Sequence, residues 1–541
     1  MTRTSVLGGE TRHRSVLGGS MPLWKLTSVG AAAAVGMVLT MFAGEGGFVV
    51  GVLLVAATWL LTASTPRGSV LARVVTRRRW KERTTRGTVK YTPFDQGSWD
   101  ALAVQARAKS PQVRADAARQ AVSLRDTPDG ASGMAWLEKR PRRPGVAWHA
   151  PAGEPAYLSV AFEVSGQIRG LESDAATDAA AAGWGRFLAR LGSHDSVARM
   201  AQTITRVLPP DSARHQAWLV ENLDPDTPPE VAASYDELLR KVDASTMTPR
   251  HYVVIRWPLT SAFRHAAARH GQRRQGWREL MRIEVASMTA RLRGAGHSWV
   301  RPLSAAQTAA VMLHMQSPSR AIDQVAGVDP DRFGVPSADH YSAHVVTVTD
   351  PATGQETQWW HRTARITAEA MATVHRSSLW MTALLSGTGD GTLRTLSFHT
   401  WVIPAAQARA AARLDRTRDS ADRLARSQAG RIEDEETELR LSAAQRRARD
   451  LRPGEHHAGV EWVGYLTVSA RSAAQLAEAC RKAQATAADE LGIERLEWLD
   501  TLQSAASGTT WPIARGMRPP ADRGRDKVMS RMAGHGAKES L

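Results

Sequence analysis

The chain runs to 541 residues, room for two to four domains at roughly 100–200 residues each. A hydrophobic share of 43% and a mean hydropathy of −0.31 exclude a polytopic carrier, and the single cysteine, Cys480, excludes a disulfide framework and a zinc ribbon. The net charge of +17 is unevenly placed: residues 1–90 carry 13 Lys+Arg against Glu10, Glu45 and Glu82, a balance of +10 that points to a membrane surface and away from a nucleic-acid-binding body.

Residues 1–20 hold a short motif twice, Ser5-Val6-Leu7-Gly8-Gly9 and Ser15-Val16-Leu17-Gly18-Gly19. Two copies are too few for a solenoid, so a disordered tail is expected, or an extension upstream of a start at Met21. Leu26 to Ala43 has no charged residue, Gly44-Glu45-Gly46 interrupts, and Gly47 to Ala63 is again uncharged. Each run approaches the roughly 17–25 residues that span a bilayer, and the short link makes the two antiparallel neighbours, so residues 21–64 are expected to form a transmembrane helical hairpin. Trp24 and Trp59 suit the interface, Lys25 can snorkel, and small residues such as Gly36 and Gly51 permit close approach in lipid. Basic residues flank the hairpin on both sides and are absent from its link, which places both termini in the cytoplasm. A buried hairpin of a soluble protein would not explain those flanks. A signal peptide starting at Met21 would lack a small-x-small cleavage site and would run at once into a second apolar stretch.

The segment 65–130 is basic. Its Arg73, Arg77, Arg78, Arg79, Lys81 and Arg83 are expected to face the anionic inner leaflet, at roughly 1 kcal/mol per residue near the surface. From 131 to 403 strand and helix patterns alternate, which predicts a mixed α/β cytoplasmic domain. The strands are placed at Val146 to Ala150, Ala156 to Val164, Val197 to Leu208, His251 to Leu259, His344 to Thr349, Thr357 to Ile366 and Leu393 to Ile403. Helices are placed at Asp174 to Leu191, Ser212 to Leu223, Pro228 to Val242, Trp277 to Arg293 and Ser304 to His314, where apolar residues recur three or four apart. Residues 404–452 are polar and rich in Ala and Arg, and are expected to form an inserted charged helical hairpin. The body is completed over 453–517 by a strand, His457 to Ala470, and a helix, Ser472 to Leu491, that carries Cys480. A disordered basic tail, 518–541, is expected after it.

The chain is poor in catalytic signatures. It has no Gly-x4-Gly-Lys-Ser/Thr loop, and the cluster Gly387-Thr388-Gly389-Asp390-Gly391 lacks the lysine and reads as a turn. His-Glu-x-x-His and Gly-x-Ser-x-Gly are absent, and His265 and His270 fall on different helix faces. Asp224-Pro225-Asp226 has the Asp-x-Asp form that some sugar-nucleotide enzymes use for a metal, but its Pro-rich setting before a helix reads as turn and cap. No catalytic residue, metal or cofactor is therefore expected.

A family signal lies late in the chain. Val463-Gly464-Tyr465-Leu466-Thr467-Val468-Ser469 leads to the helix around Leu476, then to Ile493 to Trp498, Leu502-Gln503-Ser504-Ala505-Ala506, and Thr510-Trp511-Pro512-Ile513-Ala514-Arg515-Gly516-Met517. This resembles the end of the non-catalytic N-terminal region of conjugation and type IV secretion ATPases, with Trp511-Pro512 in place of a Leu-Pro turn. With its membrane hairpin the chain resembles a family of actinobacterial integral membrane proteins of conjugative elements, in which the ATPase is encoded separately. The resemblance implies a non-enzymatic scaffold that docks that motor at the membrane, through the body around Trp511, Pro512 and Arg515 and through the arm Pro404 to Leu451. It implies no direct nucleic-acid contact and leaves self-association open. Two other readings remain: the accessory subunit of a type VII secretion core complex, which shares the hairpin and basic flank, and a membrane-anchored glycosyltransferase-like enzyme using Asp224 and Asp226.

Overall fold

The computed structural model describes residues 5–7, 23–62, 70–167, 172–208, 218–245 apart from 220 and 225, 248–349, 354–385 apart from 378, 392–413 apart from 411, 442, 445–446, 449–451 and 457–518. The charged hairpin expected over 404–452 lies largely outside these residues, as do Gly387 to Gly391, most of the helix expected at Ser212 to Leu223, and nearly all of the C-terminal tail. Within the expected N-terminal tail, Ser5–Leu7 is a strand paired antiparallel with Val374–Arg376.

The helical segment α1 (Leu23–Thr62) is apolar throughout, and Gly44 alone leaves helical geometry, at φ 53° and ψ −131°. It is followed by α2 (Val70–Arg86), which hydrophobic periodicity did not reveal because charged and polar residues fill it beyond Val75. The segment after it adds helices at Gln96–Gln105 and Pro111–Ser123, and a strand, Lys90–Pro93, that belongs to the main sheet.

That sheet has 14 strands. Its centre is built from two units of the same topology. The first runs β1 (Tyr157–Val164), α3 (Asp174–Leu191), β2 (Met200–Leu208), α4 (Pro229–Ser245), β3 (Thr248–Pro258), α5 (Arg273–Gly294) and β4 (Val300–Pro302). After α6 (Ala305–Gln316), the second runs β5 (Glu356–Ile366), β6 (Leu393–Ile403), β7 (Gly459–Ala470), α7 (Ala473–Asp489) and β8 (Glu497–Trp498). The strand order is β4-β1-β3-β2 in one and β8-β5-β7-β6 in the other, with every pair antiparallel, which is the split βαββαβ arrangement. Two flanking strands precede each unit, Met134–Glu138 with Val146–His149 and Ser337–Asp339 with His344–Thr349. Among the described residues, the first crossover of the second unit carries short elements, such as Thr382–Leu385, where the first unit has α3. The units join through β2 and β6, paired antiparallel from Met200↔Trp401 to Val207↔Arg394, so each covers the other's exposed edge.

Local signals set the element ends. Ser173 Oγ accepts from Ala176 N at the start of α3, and Ser304 with Gln307 forms a reciprocal capping box on α6. The helices α3, α5 and α7 share one face of the sheet: Leu158, Val160 and Phe162 meet Phe187, Met281 and Met288 there, and Leu396, Leu466 and Val468 meet Leu476 and Ala483. The opposite face, with Tyr157, Ala161 and Val254, lies under α6 and under Trp511, Ile513 and Ala514. Every residue of β1 is buried in consequence, the polar Ser159 and Glu163 included, so burial does not alternate along it.

Candidate membrane-facing site

Among the described residues one helical segment, Thr27–Thr62, is long and apolar enough to cross a membrane. Its large side chains face outward: Met41 is 86% and Phe42 87% exposed, a surface uncovered by the described residues. A straight helix of 36 residues would run about 54 Å, far more than the roughly 30 Å of a hydrocarbon core. The backbones of Gly36 and Gly51 nevertheless meet. A β-carbon on Gly36 would lie 2.9 Å from the Gly51 Cα, although 15 intervening steps along a straight helix would separate the two by about 22 Å.

In α2, Arg73, Arg77, Arg78, Arg79 and Lys81 are exposed, as a membrane-surface role requires. Arg83 is not, and here the sequence expectation is corrected. Its side chain is turned into the body, where Nη1 donates to Asp339 Oδ2 at 2.8 Å and to the Thr501 carbonyl, and Nη2 lies 3.6 Å from Asp129. Asp339 is fully buried and accepts from Ser504 N and Ser504 Oγ, each at 2.7 Å. Burial alone would raise its carboxyl pKa, but His344, Arg83 and Ser504 outweigh that and hold it below the usual carboxylate range. Trp80 adds an edge-to-face contact with Tyr341, ring centroids 5.8 Å apart.

The C-terminal segment, Leu499 to Met517, is a strap across the sheet face opposite α3, α5 and α7. Gln503 Oε1 accepts from Thr363 N at 2.7 Å, and Thr510 Oγ1 meets Thr467 Oγ1 at 2.9 Å. Gln202 on β2 donates from Nε2 to the carbonyls of Thr509 (3.1 Å) and Trp511 (2.9 Å) and accepts from Ala514 N at 2.7 Å. His399 Nε2 donates to the Thr509 carbonyl at 2.8 Å, and Arg256 Nη1 to the Met517 carbonyl at 2.9 Å. The Arg256 guanidinium also stacks 3.7 Å over the Tyr157 ring.

The expectation that Trp511 and Pro512 dock a partner is corrected by this strap. Both are buried, Trp511 to 2% exposure inside the core cluster under the sheet, so neither can present a surface. Arg515 is half-buried and donates from Nη1 to the Ser132 carbonyl at 2.7 Å. Asp224 and Asp226 are exposed and form a turn: Asp224 Oδ1 accepts from Asp226 N at 3.0 Å and the Asp224 carbonyl from Thr227 N at 3.0 Å. No group of three or more His, Cys, Asp or Glu suited to a metal occurs among the described residues. Cys480 is buried against β5 and β7, and burial raises its thiol pKa to about 11, which suits a packing role. The Arg83–Asp339–Ser504 junction was invisible to sequence reasoning, because its parts come from three distant segments. No protein-family model and no curated protein matches the chain.

Proposed function

We propose that this protein is a membrane-anchored, non-enzymatic scaffold of a conjugative, type IV-like secretion machine, which docks a separately encoded ATPase at the cell membrane. In this reading α1 is a two-helix transmembrane hairpin that turns at Gly44, with both termini in the cytoplasm. The approach of Gly36 to Gly51, the positive φ of Gly44 and the basic flanks support that reading.

The observation that carries the scaffold reading is the strap. A βαββαβ sheet has one face under its helices and one face open to a ligand, and here Gln503 to Met517 and α6 occupy the second. In the ATPases that the late segment resembles, this segment would continue into the motor domain; here it closes the core. The turn geometry of Asp224 and Asp226 favours the scaffold over a sugar-nucleotide enzyme. With Trp511 and Pro512 buried, the charged segment 404–452 becomes the docking surface.

The test is co-purification with the motor ATPase after mild detergent extraction, comparing the full chain with a variant in which residues 414–441 are replaced by a short Gly-Ser linker. Loss of the motor, with the variant still in the membrane, is the expected result. Retention of the motor would remove the segment from the docking role. Nucleotide or nucleotide-sugar hydrolysis by the purified chain, abolished in Asp224→Ala, would overturn the scaffold reading.

A further inference from the structure

The helix α2 has two opposed sides. At about 100° per residue, Trp80 and Arg83 point to one side, where both meet the body. Val70, Leu71, Val74 and Val75 centre about 180° away. These four are 38%, 42%, 55% and 46% exposed, and they form an apolar stripe over the first two turns that points away from the folded domain. Arg73 and Arg77 border the stripe on one flank and Arg79 on the other, while Arg78 continues it one turn on. The one acidic residue of α2, Glu82, is paired with Arg86 at 2.8 Å. Seven residues separate Thr62, the end of the candidate membrane segment, from Val70.

We infer that the first two turns of α2 lie in the plane of the membrane, in the headgroup region of the leaflet that α1 enters, with Val70, Leu71, Val74 and Val75 sunk toward the acyl chains. This inference rests on the membrane reading above and deepens it by naming the surface and its lipid partner. A lipid surface fits because the stripe adjoins a bilayer-length apolar segment and because the surrounding guanidiniums match anionic phosphates. Arg73, Arg77 and Arg79 can lay their stems along the apolar stripe and raise their heads to the phosphates. The junction of Arg83 with Asp339 and Ser504, on the opposite side, makes α2 a bracket: the membrane holds one side and the body the other, so the sheet hangs at a fixed orientation.

The test uses the full chain in nanodiscs of phosphatidylcholine with a quarter phosphatidylglycerol, in a Cys480→Ser background. Single cysteines at Val52, Val74, Val75 and Gln105 carry an environment-sensitive fluorophore, and quenching is read with lipids brominated either near the headgroup or deep in the acyl chain. Val52→Cys should be quenched by the deep bromine, Val74→Cys and Val75→Cys by the shallow one, and Gln105→Cys by neither. Shallow quenching at position 74 should fall when Arg77, Arg78 and Arg79 become Gln. Quenching at 52 with none at 74 and 75 would overturn the inference and leave the anchor standing. No quenching at any of the three would instead overturn the membrane reading itself. Shielding of 74 and 75 from an aqueous quencher, without quenching by either lipid, would mean that protein covers the stripe and would also overturn the inference.

Discussion

Gln202 and Trp511 are 309 residues apart in sequence, yet the Gln202 side-chain amide donates to the Trp511 carbonyl at 2.9 Å in the interior of the molecule. The same side chain serves Thr509 and Ala514, so one residue of β2 satisfies three backbone groups of the strap. Gln202→Leu leaves the buried Ala514 N–H without its acceptor, while the Thr509 carbonyl keeps His399 Nε2 and the Trp511 carbonyl keeps Ile513 N. A loss of roughly 1–3 kcal/mol is expected, the cost of one unsatisfied buried group. Thermal unfolding of the detergent-solubilised chain measures it, and limited proteolysis should cut first within 499–517. An unchanged midpoint would mean that the strap does not depend on this residue.

The junction of Arg83 with Asp339 is expected to hold α2 to the body. Asp339→Ala removes the buried carboxylate but leaves the guanidinium the Thr501 carbonyl and Asp129, so a loss no greater than the about 3–5 kcal/mol of a buried pair broken from one side is expected. Arg83→Met combined with Asp339→Leu should recover part of that loss, because neither charge is then buried alone. A double-mutant cycle on the unfolding midpoint gives the coupling. Strict additivity of the two single changes would argue that the contact is incidental.

Acid should destabilise the protein well above the carboxylate range. Burial drives His361 and His314 down to about 3 and His399 down to about 4. In the unfolded chain these rings titrate near 6.5. The folded state therefore keeps them neutral while the unfolded state gains protons as pH falls. Their stabilisation is whole above about pH 6.5 and is lost on descending toward the folded values, at up to about 1.4 kcal/mol per pH unit for each ring. The depressed carboxyl of Asp339 acts lower, below the ordinary carboxylate range of about 4, so it adds nothing to this slope. His399→Gln should flatten the dependence of the unfolding midpoint between about pH 6.5 and 5 by roughly one ring's share. A midpoint constant over that window would show that these rings are protonated in the fold.

Topology separates a hairpin from a single crossing. In a Cys480→Ser background, Gly46→Cys should react with a membrane-impermeant thiol reagent on intact cells, and Arg79→Cys only after permeabilisation. A reporter active only in the cytoplasm should be active when fused after Leu541. A single crossing over Thr27–Thr62 would put position 46 inside the bilayer, where the reagent cannot reach it. Gly36→Leu should weaken the packing of the two halves, because a β-carbon there already lies 2.9 Å from Gly51.

Much of the secondary structure was legible in the sequence. His344–Thr349, Leu393–Ile403 and Asp174–Leu191 have in the structure the bounds that their periodicity predicts. Apolar spacing, a Ser cap and a closing Gly act within one element and need no distant partner. The apolar character and basic flank of α1 were equally local. The doubled βαββαβ plan was not legible, because strand order is a property of pairs far apart in the chain.

The same reason divides the site residues. Arg83 reads in sequence as one more member of a basic run with Arg77, Arg78 and Arg79. Only the tertiary structure sets Asp339, 256 residues away, against its side of the helix and turns it from a surface cation into a structural one. Trp511 reads in sequence as a docking residue, but polar side chains of β2 and β6, Gln202 and His399 among them, bond the backbone of its segment and hold the strap inside. Sequence determined the long apolar segment near the N-terminus, the charge beside it and the bounds of many strands and helices, because each follows from neighbours along the chain. Which polar groups are buried together was decided by the fold, because desolvation and hydrogen bonding act between residues that only the folded chain brings within 3 Å.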